Sequence, residues 1–247
     1  MRLHVTGATG FLGGELLSLA PDATGERVEI RDASAVTALL ARVRPDVVIH
    51  TAYRQDGDGA PEIVVDGSGN VAAAARAVGA RLVHVSTDLV FDGRKGAPYV
   101  EKDEPTARSE YGRAKADAEH RVGEECPGAL IVRTSLIVGG PGHEPSKHEV
   151  AAMDRDATFY EDELRSPIQV TDLATALLYL AARSDFGVLN VAGADDVSRA
   201  ELAELVRGEP VRRAPAPPSR PLDCRLDSSR ARALLPFRLR GVREVCA

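Results

Sequence analysis

The run Leu3-His4-Val5-Thr6-Gly7-Ala8-Thr9-Gly10-Phe11-Leu12-Gly13-Gly14 constrains this chain more than any other segment. A short apolar stretch leads into glycines spaced G-x-x-G-x-x-G, and an apolar helical pattern follows from Phe11 to about Ala20. Each glycine answers a separate physical demand. Gly7 permits a tight turn, Gly10 lets backbone approach a pyrophosphate, and Gly13 lets helix and strand pack closely. The helix start offers unpaired N–H groups and the positive end of its dipole to phosphate. Glycine spacing alone is weak evidence, but strand and helix flank it here as a phosphate loop requires. Gly7, Thr9, Gly10, Phe11, Leu12 and Gly13 are therefore the expected dinucleotide contacts.

The same alternation continues downstream. Residues 27–30 (Arg-Val-Glu-Ile) read as a strand, and Asp32-Ala-Ser as a helix start that runs to about Arg44 before Pro45. Val47-Val-Ile-His50 is a continuous apolar run, as expected of a parallel strand buried on both faces. Residues 55–62 read as a loop, 63–78 as a helix closed by Gly79, and 81–86 as a strand. A polar loop at 92–108, a helix at 109–124 and a strand at 129–134 follow. Strands alternating with helices predict an α/β fold, a doubly wound parallel sheet of the Rossmann type. After Val138 the pattern changes. A Gly/Pro/His-rich stretch at 139–149 precedes a helix at 171–183, a strand at 187–191, a helix begun by a Ser198/Glu201 capping box, and a five-proline extended connector at 209–221. The expected organisation is a dinucleotide-binding domain over 1–137 and a smaller interwoven substrate lobe over 138–247, with 168–192 returning to the core.

Composition narrows the class of partner. With a net charge of −6 the chain lacks the basic face of a nucleic-acid binder. No run of 18 apolar residues predicts a membrane span, and the N-terminus enters a strand directly, with no signal peptide. Cys126, Cys224 and Cys246 lack metal-ligand spacing and read as reduced thiols, so a cytoplasmic location is expected. His143 and His148 sit in the Gly/Pro-rich stretch, and no metal is expected there.

Tyr111 and Lys115 are four residues apart in the helical stretch, so both leave one face. An ammonium beside a phenol favours the phenolate, and the tyrosine can then exchange a proton with an alcohol or carbonyl. Ser86-Thr87-Asp88 ends a buried strand, where open α/β sheets place reactive groups. The alternative is that these hydroxyls only shape the loop. Asp32 follows the second expected strand and can hold a ribose hydroxyl or simply cap a helix. No basic residue in the glycine loop demands a 2′-phosphate, so NAD and NADP both stay open.

Together the glycine loop, Ser86-Thr-Asp-Leu-Val-Phe-Asp-Gly93, Tyr111-x-x-x-Lys115, Arg133-Thr-Ser-Leu136 and Arg165-Ser-Pro-Ile-Gln-Val-Thr-Asp172 resemble the extended short-chain dehydrogenase/reductases. Within them the resemblance is to the dTDP-4-dehydrorhamnose reductase, sugar-nucleotide-binding family, over nearly the whole chain. It implies an NAD(P)-dependent oxidoreductase that reduces a keto group of a nucleotide sugar or a similar small molecule. Thr87 would orient the keto oxygen, Tyr111 give the proton, and Lys115 tune Tyr111 and bind ribose. Thr51, Ala52, Tyr53 and Ser86 would line the cofactor. Asp88 and Arg165 would contact substrate, Arg165 at the nucleotide diphosphate unless it forms a surface ion pair with Glu161 or Asp162. A homodimer is compatible with the resemblance. The chain departs from the family pattern in a shortened stretch before Arg31, in Arg-Gln-Asp-Gly-Asp-Gly after Tyr53, and in a compressed 139–160 region. A same-fold epimerase or dehydratase, and a non-catalytic dinucleotide-binding subunit like the regulatory subunit of methionine adenosyltransferase, are the alternatives.

Overall fold

The computed structural model describes residues 1–53 and 60–246. In chain order its elements are β1 (Leu3–Thr6), α1 (Phe11–Leu19), α2 (Ala33–Val43), β2 (Val47–His50), α3 (Ala60–Ala77), β3 (Arg81–Thr87), α4 (Glu110–Glu125) and β4 (Leu130–Thr134). They continue with β5 (Ile137–Val138), α5 (Lys147–Met153), β6 (Thr158–Tyr160), β7 (Leu164–Arg165), β8 (Ile168–Gln169), α6 (Val170–Ala181), β9 (Gly187–Asn190), β10 (Val197–Ser198), α7 (Arg199–Arg207), β11 (Arg212–Ala214), α8 (Ser229–Leu234) and α9 (Val242–Val245). Two compact units result. The first is Met1–Ser86, Glu110–Val132 and Ala174–Leu189, and the second is Thr87–Ser109, Arg133–Leu173 and Asn190–Ala247.

The first unit is built on a five-stranded parallel sheet of order β1-β2-β3-β4-β9. Every residue of β1, β2 and β4 is buried, which is why these strands are rich in apolar residues. Alternate strand residues Val48, Leu82 and Ile131 meet Val36 and Leu40 of α2, Val71 and Ala75 of α3, and Val122 of α4 in one apolar cluster. Helix α2 starts where Asp32 accepts from Ala35 N–H at 2.9 Å and ends where Arg44 turns left-handed, one residue before Pro45.

The expected strand at 27–30 does not form. Thr24 instead makes a single parallel bridge to His4, with Val5 N donating to Thr24 O at 2.8 Å. Thr24 thus occupies the edge of β1, and the carbonyls of Ile30 and Arg31 accept from Asn70 Nδ2 at 3.0 and 3.1 Å. Ile30 is still buried in the apolar cluster, so its hydrophobicity serves as an anchor for an irregular segment. Ile30→Ala should therefore cost about 3 kcal/mol, the range for truncating a buried aliphatic, read as a lowered melting temperature. An unchanged melting temperature would mean the segment contributes nothing to the core. The expected loop at 55–62 lies outside the described residues up to 59, and from Ala60 the chain is already helical.

The second unit holds three two-stranded pairings: β5 with β8, β6 with β11 and β7 with β10. Its helices α5 and α7 pack through Ala152, Ala200 and Ala203 around Phe159. Helix α5 lies where the chain reads as loop. Its start is a full capping box, Ser146 with Glu149, and the Glu149 carboxylate also takes the N–H groups of Gly139 and Gly140 at 2.8 and 2.9 Å. The proline-rich connector carries β11. No helix among the described residues is long and apolar enough to cross a membrane.

Candidate active site

The glycine loop follows β1 as the spacing requires. Gly7 has φ +73°, a left-handed conformation that only glycine adopts without strain. A Cβ on Gly7 would also lie 2.7 Å from Ala52 N, so Gly7 brings the loop against the end of β2. There Thr51 Oγ1 donates to Thr6 O at 2.7 Å. A Cβ on Gly13 would lie 2.1 Å from Gly7 O, so α1 rests directly on the turn. Gly10, Thr9 and Phe11 are exposed at the start of α1, whereas Leu12 is buried in the core. The start of α1 has no side-chain cap and no acidic residue in its first turn. Nothing on α1 itself competes with an anion for that terminus, so the loop fits a dinucleotide pyrophosphate. Asp32 is exposed, with one carboxylate oxygen capping α2.

Helix α4 carries Tyr111 and Lys115. The Tyr111 ring lies beside that of Tyr53, centroids 5.9 Å apart. Lys115 is 3% exposed and donates to Val85 O at 2.7 Å, with His84 Nε2 at 3.5 Å. Burial pulls the Lys115 ammonium down to about 8, opposed by the nearby Glu119 carboxylate. Ser86 is buried and donates to Glu119.

A polar row that sequence reasoning missed runs beneath these residues. Thr6, His50 and His84 are register partners across β1, β2 and β3. His50 Nδ1 lies 2.5 Å from Thr6 Oγ1 and its Nε2 3.2 Å from Ser68 Oγ. The signal was present as a histidine at the same offset in two otherwise apolar strands.

Burial, with the Lys115 charge, pushes His50 down to about 3 and His84 well below the usual histidine range. In the second unit burial, with Arg199, Lys147 and Arg165, pushes His148 down to about 3. A histidine held neutral in the fold is protonated first in the unfolded chain. The stability it contributes is whole above the ordinary value of 6.5 and drains away as pH falls toward 3. Between pH 7 and pH 5 each such histidine should cost about 2 kcal/mol. Thermal melts should show a falling melting temperature over that range, and a flat profile would show that these rings find compensating partners when charged.

The second unit holds Thr87, Asp88 and Arg165. Asp88 and Arg165 are 2% and 1% exposed. The Arg165 guanidinium donates to Leu164 O, Leu222 O, Pro221 O and Glu163 Oε1 at 2.7–3.1 Å, and its Nε lies 3.6 Å from Asp88 Oδ2. A surface ion pair with Glu161 or Asp162 is not what the structure builds: every N–H of the buried group faces a protein acceptor. Pro221 and Leu222 close on this arginine with their carbonyls, a long-range arrangement that local sequence does not reveal. Burial raises the Asp88 carboxyl, opposed by the Arg165 charge and by hydrogen bonds from Ser135 and Thr87. His143 and His148 are engaged separately, with Thr171 Oγ1 at 2.9 Å and Arg199 at 3.4 Å. Among the described residues no group of three or more metal-ligating side chains is assembled.

A family model described as the RmlD substrate binding domain matches residues 1–246. The chain belongs to this family. A dTDP-4-dehydrorhamnose reductase of Mycobacterium tuberculosis is 37% identical to it, over 83% of this chain and 74% of that protein. Methionine adenosyltransferase 2 subunit beta of Pongo abelii is 30% identical over 98% of this chain and 86% of that protein. The crystal structure of a dTDP-4-dehydrorhamnose reductase from Bacillus anthracis in complex with NADP matches with a TM-score of 0.86 at 26% identity, covering 99% of this chain and 96% of that one. The family resemblance and the Rossmann-type fold expected from the sequence both hold.

Proposed function

We propose that this RmlD-family chain is an NAD(P)H-dependent reductase that transfers hydride to the keto group of a nucleotide sugar, the class for which its dTDP-4-dehydrorhamnose reductase relatives are named. The observation that carries this reading is the pairing, in one unit, of a dinucleotide-shaped glycine loop with the Tyr111/Lys115 helix, in a chain 37% identical to such a reductase. Gly7, Thr9, Gly10, Phe11, Leu12 and Gly13 hold the pyrophosphate, and Thr51, Ala52, Tyr53 and Ser86 line the remainder. Asp32, exposed at the start of α2, serves the ribose. Bound NAD(P)H supplies the hydride. Tyr111 gives a proton to the keto oxygen, and Lys115 steadies the charge left on Tyr111. Thr87 holds the reacting oxygen. The three free cysteines support a reducing, cytoplasmic setting. The test is oxidation of NADPH or NADH in the presence of dTDP-4-keto sugars. Turnover supports the proposal, and tight cofactor binding without turnover on any keto sugar overturns it.

A second reading has one observation in its favour, the 30% identity to methionine adenosyltransferase 2 subunit beta across nearly the whole chain. On that reading the chain binds a dinucleotide and regulates a partner enzyme. It requires altered kinetics of a methionine adenosyltransferase catalytic subunit on mixing, together with no NAD(P)H oxidation.

A further inference from the structure

Lys115 rests on a row of buried polar side chains. Its ammonium has three hydrogens. One goes to Val85 O at 2.7 Å, and His84 Nε2 lies 3.5 Å from the same nitrogen. His84 is 1% exposed, and its other ring nitrogen, Nδ1, is buried with no hydrogen-bond partner among the described residues. The neighbouring ring, His50, has its centroid 5.2 Å away and spends its nitrogens on Thr6 and on Ser68 of α3. All of these residues belong to the first unit.

A neutral imidazole has one N–H and one bare nitrogen. Burial keeps His84 neutral, so its single proton must choose between Nδ1 and Nε2. Nδ1 lacks a partner in either form, which leaves Lys115 to settle the choice. A proton on Nε2 would set a donor against the ammonium, hydrogen facing hydrogen. A bare Nε2 accepts from the ammonium, at the cost of a buried Nδ1–H without a partner. The charge-assisted contact is the stronger of the two effects.

We propose that His84, protonated at Nδ1, is a positioning residue that accepts one Lys115 hydrogen through Nε2 and leaves a single N–H of the ammonium for a bound molecule. Use of that N–H in the reaction rests on the reductase reading, whereas the state of the ring does not. The titratable groups facing Lys115 are His84 on β3, His50 on β2 and Glu119 on α4, with Ser86 of β3 bonded to Glu119. Burial works against the ammonium, and Glu119 and the His84 lone pair work for it.

The test starts from the wild-type chain. Nitrogen-15 NMR of the histidine rings at pH 7, with His84→Gln assigning the signals, should show the His84 proton on Nδ1. In Lys115→Met the reason for that choice is gone, and the Nε2–H form should appear. A wild-type ring protonated at Nε2, or a ring unchanged in Lys115→Met, overturns the proposal. Lysine labelled at Cε follows Lys115 itself, which should lose its proton at about pH 8. His84→Phe keeps a ring and offers no acceptor, so that midpoint should fall by about one pH unit, a tenfold loss of proton affinity. His84→Gln puts an amide oxygen where Nε2 stood and should restore most of the difference. A midpoint that stays put in His84→Phe, or falls equally in both variants, overturns the proposal. The alkaline limb of the pH–rate profile should move with the midpoint, and a limb that stays put in an active enzyme overturns the positioning role. An Nδ1–H ring in a chain without turnover supports the His84 contact and removes only the reductase reading.

Discussion

Tyr111→Phe should lower kcat by about two to four orders of magnitude, the range for losing a positioned general acid, while NAD(P)H affinity stays near that of wild type. The substitution removes one oxygen and keeps the ring, so the packing against Tyr53 survives. Lys115 keeps its contacts to Val85 O and His84 Nε2. The comparison to make is single-turnover hydride transfer against cofactor titration by fluorescence. Equal rates in the two proteins would remove Tyr111 from the chemistry, and a parallel loss of cofactor affinity would reassign it to binding.

Gly13→Ala is the largest effect expected on the fold. The new Cβ would sit 2.1 Å from Gly7 O, a backbone atom of the turn that cannot swing aside as a side chain could. Either α1 lifts off or the turn opens, at a cost of about 3 kcal/mol, the upper range for overpacking a core, and roughly 6–12 °C in melting temperature for a chain of this size. Dinucleotide affinity should fall by at least about a hundredfold, since the N–H groups that meet phosphate are set by the same turn. Gly14→Ala is the control. Its Cβ would meet only Ala8 O at 3.8 Å, so melting and binding should hold or improve. Intact dinucleotide binding in Gly13→Ala would show that the phosphates lie elsewhere.

Much of the first unit could be read locally because its signals are local. Apolar runs mark β2 and β4, Asp32 and Pro45 bracket α2, and Gly7 and Gly13 each answer one close backbone contact. Residues 27–30 failed that reading for an equally physical reason. A β-pattern needs a ladder partner, and the edge of β1 is bonded by Thr24 while Asn70, forty residues on from Ile30, takes the Ile30 carbonyl. Helix α5 was hidden in glycines and prolines, with the Ser146/Glu149 box as its one local mark.

The sequence by itself determined the glycine loop, the α/β alternation, and the four-residue spacing that puts Tyr111 and Lys115 on one helix face. These depend on residues near one another in the chain. Only the tertiary structure decided the fate of Arg165, Asp88, His50 and His84. A charged or titratable side chain takes its role from what surrounds it, and here the surroundings come from distant segments: carbonyls of 221 and 222 around Arg165, Ser135 on Asp88, and neighbouring strands that align two histidines under Lys115.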